Sequence, residues 1–309
     1  MNEPIAAPTP GHATPDIAEA GPRAPTSLLS RLAWRRMPGL IRACVVVAAA
    51  IALAALFAPW VAPHDPLATQ ILLKLRAPFG MEGYEPGHWL GTDPLGRDLL
   101  SRCIHGIRVS VGIALLGLLV SVVVGVSAGL AAGLSGGWVD RIVMTVVDVF
   151  IAVPFLLLVL VGIAVFGSDI PVLILLVGLA RWETYARIVR GQVLQIREMP
   201  YIEAARALGA SSSSIALRHV LPNIAGPLIV LLTLNFPAIL LLESSLSFLG
   251  IGVQPPTASL GRMVGDGRDH LIFSWWVAAA PAAVILVITL IVQTMGDWLR
   301  DVLDVRIDD

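Results

Sequence analysis

The chain has 309 residues, of which 56% are hydrophobic and only 14% charged. A soluble domain carries about a quarter charged residues, so the composition argues against an ordinary soluble protein and places the chain in a lipid bilayer. The net charge of −1 leaves no basic face large enough to follow a phosphate backbone, which argues against nucleic acid as a partner.

Residues 1–26 are rich in Pro, Ala and Thr without periodicity, and are expected to form a disordered tail. Over 27–39, Ser27 caps a predicted helix in which Leu28, Leu29, Leu32 and Trp34 alternate with Arg31, Arg35 and Arg36. That pattern suits a helix lying in the membrane interface, ended by Pro38. A crossing needs about 20 apolar residues. Six such runs are expected near 40–61, 109–134, 144–166, 170–187, 223–247 and 275–296. The predicted fold is therefore an all-α integral membrane protein whose six-span body fills 40–309.

Arginines set the expected orientation. Arg23, Arg31, Arg35, Arg36 and Arg42 precede or open the first span, and Arg187, Arg190, Arg197, Arg206 and Arg218 follow the fourth. With six spans, these segments and the C-terminus share one side, which the positive-inside rule makes cytoplasmic. The loop 62–108 then lies outside despite its own basic residues, and the loop 188–222 lies inside. Trp34, Trp60, Trp138, Trp275, Trp276 and Trp298 fall near predicted span ends, where an aromatic belt belongs. In the second span Gly125, Gly129 and Gly133 repeat every fourth residue, a spacing that lets helix backbones approach; packing within the chain is favoured over a homodimer seam.

Several chemistries lack their motif. Lys74 is the one lysine and no phosphate-binding GxxxxGK[ST] surrounds it. Cys44 and Cys103 form no CxxC pair, and no HExxH or Cys/His cluster is readable, so no metal or cofactor is expected in this chain. "GLSGG" at 133–137 matches GxSxG in letters, but it follows a membrane helix rather than a strand and reads as a turn.

Two polar stretches interrupt the apolar pattern. In "GTDPLGRD", Gly91 and Gly96 bracket a turn while Asp93 and Arg97 sit four apart beside Asp98. These residues are a contact surface for a partner, a gate, or an ion pair that pins the loop. The second stretch is "EAARALGASSSSIALRHVLPN" at 203–223. The helix after span four is expected to continue to Leu208, with Gly209 closing it in the left-handed region. Ser211 or Ser212 then caps a second short helix that Pro222 stops. The small residues Ala204, Ala205 and Ala210 give this elbow a shallow surface for another protein. Within the spans, Glu243 and Asp148 are candidate pathway acids, because buried charges often mark ion routes.

The order Glu203-Ala204-Ala205, Gly209, His219, Leu221-Pro222 resembles the EAA loop of ABC-importer permeases, with His219 where isoleucine is usual. "HWLGTDPLGRDLLSRCIHGIRVSV" at 88–111, "LSFLGIGVQPP" at 246–256 and "MGDWLRDVLDVR" at 295–306 are similar to segments of the dipeptide, oligopeptide and nickel permeases. Specifically they resemble the second permease of the pair. Leu260 replaces a common tryptophan, and Val305 a common proline. The resemblance implies a helix–turn–helix coupling loop, made by Glu203, Ala204, Ala205, Gly209, Ala210, Ser211, His219, Leu221 and Pro222, that docks on an ATPase. It implies as partners a homologous permease, two cytoplasmic ATPases that hold ATP and magnesium, and an extracytoplasmic binding protein meeting the loop of Gly91, Asp93, Gly96, Arg97 and Asp98. The implied setting is a bacterial or archaeal cytoplasmic membrane and the implied cargo a di- or oligopeptide. A nickel or other small-solute permease is the alternative. A gradient-driven carrier and a membrane enzyme fit less well, the first having no use for the hairpin and the second lacking a catalytic constellation.

Overall fold

The computed structural model describes residues 37–303. The expected tail (1–26), nearly all of the interfacial helix (27–39) and residues 304–309 lie outside the described residues. Among the described residues the fold is all-helical, with isolated bridges Ala77–Tyr84 and Thr92–Asp98 but no strand.

The elements depart from the expected runs in ways that local chemistry explains. Helix α1 (Gly39–Leu56) breaks at Phe57 before a single turn, α2 (Ala58–Val61). Helix α3 (Leu99–Ser135) begins ten residues before the predicted span, because the Asp98 side chain accepts the Ser101 N–H and caps it there. The third expected span is two helices, α4 (Gly137–Ala152) and α5 (Phe155–Phe166), bent by 94°. Pro154 causes the break: it pushes Val153 into the extended region, ψ 128°. The fourth is also broken, into α6 (Ile170–Gly178) and α7 (Trp182–Ile196), where the charged residues Arg181 and Glu183 begin. Helix α8 (Pro200–Ala207) does not continue α7, because Pro200 holds Met199 extended at ψ 138°.

The largest correction concerns Pro222. It does not stop a helix: α9 (Ser212–Ile215), a π turn (Ala216–Val220) and α10 (Leu221–Phe248) run as one 37-residue helix. The π turn carries the Leu221 N–H to the Ala216 carbonyl, a register in which a proline with no N–H of its own can follow. Helices α11 (Leu260–Gly267) and α12 (Trp276–Leu303) come last among the described residues. Four helices are long and apolar enough to cross a bilayer, or five if the bent pair α4–α5 counts as one span. The chain is therefore a multi-pass membrane protein by length and composition.

The core lies where α3, α6, α10 and α12 meet, around Ile113, Leu118, Val177, Leu240, Leu246 and Ile285. Leu119, Val161, Val165 and Leu286 stay more than half exposed, as a lipid-facing surface requires. Trp276 is only 8% exposed and packs in a second cluster with Cys103 and Met263, so it is not a belt residue.

Candidate functional site

The hairpin 200–222 is positioned by α7, and α7 is positioned by glycines. A Cβ at Gly125 would overlap the Trp182 carbonyl oxygen; at Gly129 it would stand 2.6 Å from that of Ala186, and at Gly133, 2.6 Å from the Val193 Cβ. All three lie on one face of α3, and the absence of a side chain at each lets α7 seat directly on its backbone. Asp140 of α4 and Arg190 of α7 form a bidentate ion pair, with Arg190 Nη2 donating to Asp140 Oδ2 at 2.7 Å. Arg197 Nη1 donates to the Gly133 carbonyl at 3.2 Å, placing a cation at the C-terminal end of α3.

From that base the hairpin folds by local rules. After α8 the Ala210 N–H reaches back to the Ala205 carbonyl at 3.0 Å and the Gly209 N–H to that of Arg206 at 2.9 Å. This pair of bonds is a Schellman motif, with Gly209 at φ +85°. Ser211 then caps α9 by accepting the Ser214 N–H at 3.3 Å. Ile202, Ile215 and Val220 turn inward and join Val189, Val193 and Ile224 in one buried cluster. Asn223 Nδ2 donates to the His219 carbonyl at 2.7 Å and to the Tyr201 hydroxyl at 3.3 Å, tying the two arms together. The outward face carries Glu203, in the first turn of α8, with Ala204, Gly209, Ser211 and Pro222 exposed. Ala205, Ala210, His219 and Leu221 are half-buried. Two large apolar side chains also point out: Leu208 is 90% and Leu217 66% exposed. Sequence reasoning missed these leucines: Leu217 stands only three residues before the buried Val220 and Leu208 is the last residue before the Gly209 turn, so helical spacing alone does not mark either as exposed.

The loop between α2 and α3 is the second candidate. Asp93 accepts the N–H groups of Leu95 and Arg97 at 2.8 and 3.0 Å and the Arg97 Nε–H at 2.6 Å. Arg102 Nε lies 3.4 Å from the same carboxylate. Asp98 caps α3 and meets His88 Nδ1 at 2.9 Å. Asp93 and Asp98 are only 4% and 2% exposed, so both carboxylates are turned inward. Gly91 and Gly96 hold φ +79° and +73°, and a Cβ at Gly96 would collide with the Gln70 carbonyl oxygen. The outer surface is instead aromatic, with Phe79 5.4 Å from Tyr84 and 5.6 Å from Trp89 between ring centres. A cleft of about 560 Å³ is lined by Arg97 and Arg102 together with Arg262, Arg268, Asp266 and His270.

The two intramembrane acids part company. Glu243 has no exposed surface and accepts the hydroxyls of Ser247 at 2.8 Å and Ser244 at 3.4 Å. Asp148 lies at the surface, its carboxylate 2.9 Å from Arg187 Nη2. Ser135 of the GxSxG look-alike is the last residue of α3, with no strand before it. Sequence reasoning foresaw no metal-binding cluster, yet the fold gathers His64, His88 and Asp98, residues too far apart in sequence for a spacing motif.

Residues 106–309 match the family model described as the binding-protein-dependent transport system inner membrane component. The chain belongs to this family. The permease is 39% identical over 257 residues to the di/tripeptide transport system permease protein DppC of Pseudomonas aeruginosa, covering 83% of this chain and 85% of that protein. It is 40% identical over 257 residues to the glutathione transport system permease protein GsiD of Shigella flexneri, covering 82% of each. Among solved structures the inward-facing MetNI methionine ABC transporter matches 66% of the permease and 97% of that chain, with TM-score 0.53 and 18% identity, a likeness of fold. Family membership makes the permease a transport subunit and not an enzyme.

Proposed function

We propose that this chain is one of two homologous permeases of an ATP-driven importer, and that its cargo is a di- or oligopeptide. The names of the relatives from Pseudomonas aeruginosa and Shigella flexneri support a peptide cargo. In this reading six crossings are completed by the bent pair α4–α5 and the broken pair α6–α7, with both termini cytoplasmic. Two cytoplasmic ATPases bind the nucleotide and magnesium and dock on the hairpin 200–222. An extracytoplasmic binding protein delivers the peptide to the face formed by the loop 62–108. Movement of the ATPases reaches the spans through the hairpin, and the pathway opens to either side by rigid-body rocking.

The observation that carries this reading is the hairpin's division of labour. Ile202, Ile215 and Val220 fasten it to α7 and α10, while Leu208 stands exposed beside the Gly209 turn and Leu217 stands exposed on the second arm. Two large exposed leucines on an otherwise small and polar turn suit a groove on a partner. Glu243 supports a coupled permease better than a gradient-driven carrier, because its carboxylate is sealed among serines. Asp148, held at the surface by Arg187, supports a route through the chain less well than a contact at its edge.

Co-purification of the complex tests the assembly. The wild-type chain retains a second permease and two ATPases, whereas Leu208→Glu with Leu217→Glu retains the permease and loses the ATPases. Full ATPase retention by the double variant would overturn the docking role.

A further inference from the structure

We propose that His64, His88 and Asp98 form a binding site for a divalent transition-metal ion of the zinc class, stapling the loop between α2 and α3. One ligand atom from each residue lies within 4.8 Å of the others. The two imidazoles stack with ring centres 4.6 Å apart and planes 22° from parallel, so both present nitrogens to the same carboxylate. His88 Nδ1 is 2.9 Å from Asp98 Oδ1, and His64 Nδ1 is 3.8 Å from Asp98 Oδ2.

Three observations separate this cluster from an ordinary buried hydrogen-bond group. First, His64 Nδ1 is buried without any hydrogen-bond partner. A polar atom left in that state is costly, and an ion between it and Asp98 removes the cost. Second, the shell is already ordered. Ser101 donates both its N–H, at 2.8 Å, and its hydroxyl, at 2.7 Å, to Asp98 Oδ2, and that hydroxyl oxygen accepts the His64 backbone N–H at 3.0 Å. Secondary contacts of this type fix the direction of a ligating carboxylate. Third, the backbone at Gly87 passes over the His64 ring: a Cβ there would meet Cε1 at 3.6 Å and Nε2 at 3.7 Å. Gly87 and His88 thus both neighbour the ring.

The donor set decides the class of ion. Two imidazole nitrogens and one carboxylate oxygen suit zinc and its first-row neighbours, whereas magnesium and calcium prefer all-oxygen shells. Zinc–ligand bonds of about 2.0–2.2 Å place neighbouring ligand atoms roughly 3.4 Å apart, so the cluster needs only small side-chain movements to close. His64 keeps 36% of its side chain exposed, which provides entry and leaves a fourth position for water. The ion would join the start of the loop (His64), its middle (His88) and the N-cap of α3 (Asp98).

The test uses the full chain without a polyhistidine tag, in lipid nanodiscs, stripped with chelator and titrated with Co²⁺ as a spectroscopic stand-in for Zn²⁺. The expected result is one Co²⁺ per chain with visible ligand-field absorption, displaced by Zn²⁺. His64→Asn and His88→Asn should each weaken binding at least tenfold, while His270→Asn leaves it unchanged. His64→Asn leaves the Asp98 cap in place, so its effect is separable from loss of the loop. Equal cobalt affinity and absorption in the wild type and the His64→Asn/His88→Asn double variant would overturn the proposal, as would the absence of any ligand-field absorption in the wild type.

Discussion

Gly129 of α3 lies so close to Ala186 of α7 that any Cβ added to it would stand 2.6 Å from the Ala186 carbonyl oxygen. That contact is with backbone, which cannot swing aside. Gly129→Val should therefore push α7 off α3 and carry the hairpin with it. Overpacking of this kind costs about 1–3 kcal/mol. The expected readout is a lower melting temperature of the purified complex together with reduced ATPase retention. Gly112, where a Cβ meets nothing within 4 Å, is the control: Gly112→Ala should change neither.

Gly209 makes the opposite case. A Cβ at this position would meet nothing within 4 Å, and only the φ of +85° resists substitution. Gly209→Val should cost roughly 1–2 kcal/mol and loosen the hairpin. Gly209→Asn should be mild, because asparagine tolerates the left-handed region. ATPase retention ranked wild type, then Asn, then Val would support the turn as the element that matters. Equal loss in both variants would point to contact with the glycine itself.

Asp93 and Arg97 are joined at 2.6 Å, yet they should not be equivalent. Asp93 also accepts two backbone N–H groups and stands beside Arg102. Asp93→Ala strands those donors in a buried place and should cost about 3–5 kcal/mol. Arg97→Ala removes one partner at the edge and should cost no more than about 1–3 kcal/mol, the range for a charged hydrogen bond. Proteolysis of the loop during thermal unfolding would rank the two. A larger effect from Arg97 would argue for its contact with a partner instead.

Glu243 separates packing from passage. Glu243→Gln keeps an acceptor for Ser247 and should leave melting temperature and uptake near wild type. Glu243→Ala opens a cavity and removes the acceptor, and should lower stability by about 2–4 kcal/mol. Uptake lost in the Gln variant with stability intact would assign the carboxylate to the pathway.

Legibility in the sequence followed the range of the interactions. The Gly209 turn and the Ser211 cap were readable because each is settled within four or five residues. The glycine spacing in α3 announced a close neighbour, although it could not say that Trp182, Ala186 and Val193 were that neighbour. Pro154, Pro200 and Pro222 were harder. An apolar count runs straight through the first, which breaks a helix, while the third is absorbed by a π turn. Asp98 was read as a charge when its decisive role is to cap α3, a pattern the letters did contain. The pairings of His64 with Asp98 and Asp140 with Arg190 span 34 and 50 residues, and no local rule finds them.

The continuity of α9, the π turn and α10 has a mechanical consequence. Ser212 and Phe248 are the two ends of one 37-residue rod, roughly 55 Å long at 1.5 Å per residue. A rod needs no relay of side chains to carry displacement along its length: tilting the end near the hairpin swings the end near Glu243 in the opposite sense about whatever point the core grips. The π turn between Ala216 and Val220 and the internal prolines Pro227 and Pro237 are the places where the ordinary hydrogen-bond ladder is interrupted, so bending of the rod is expected there rather than elsewhere along its length.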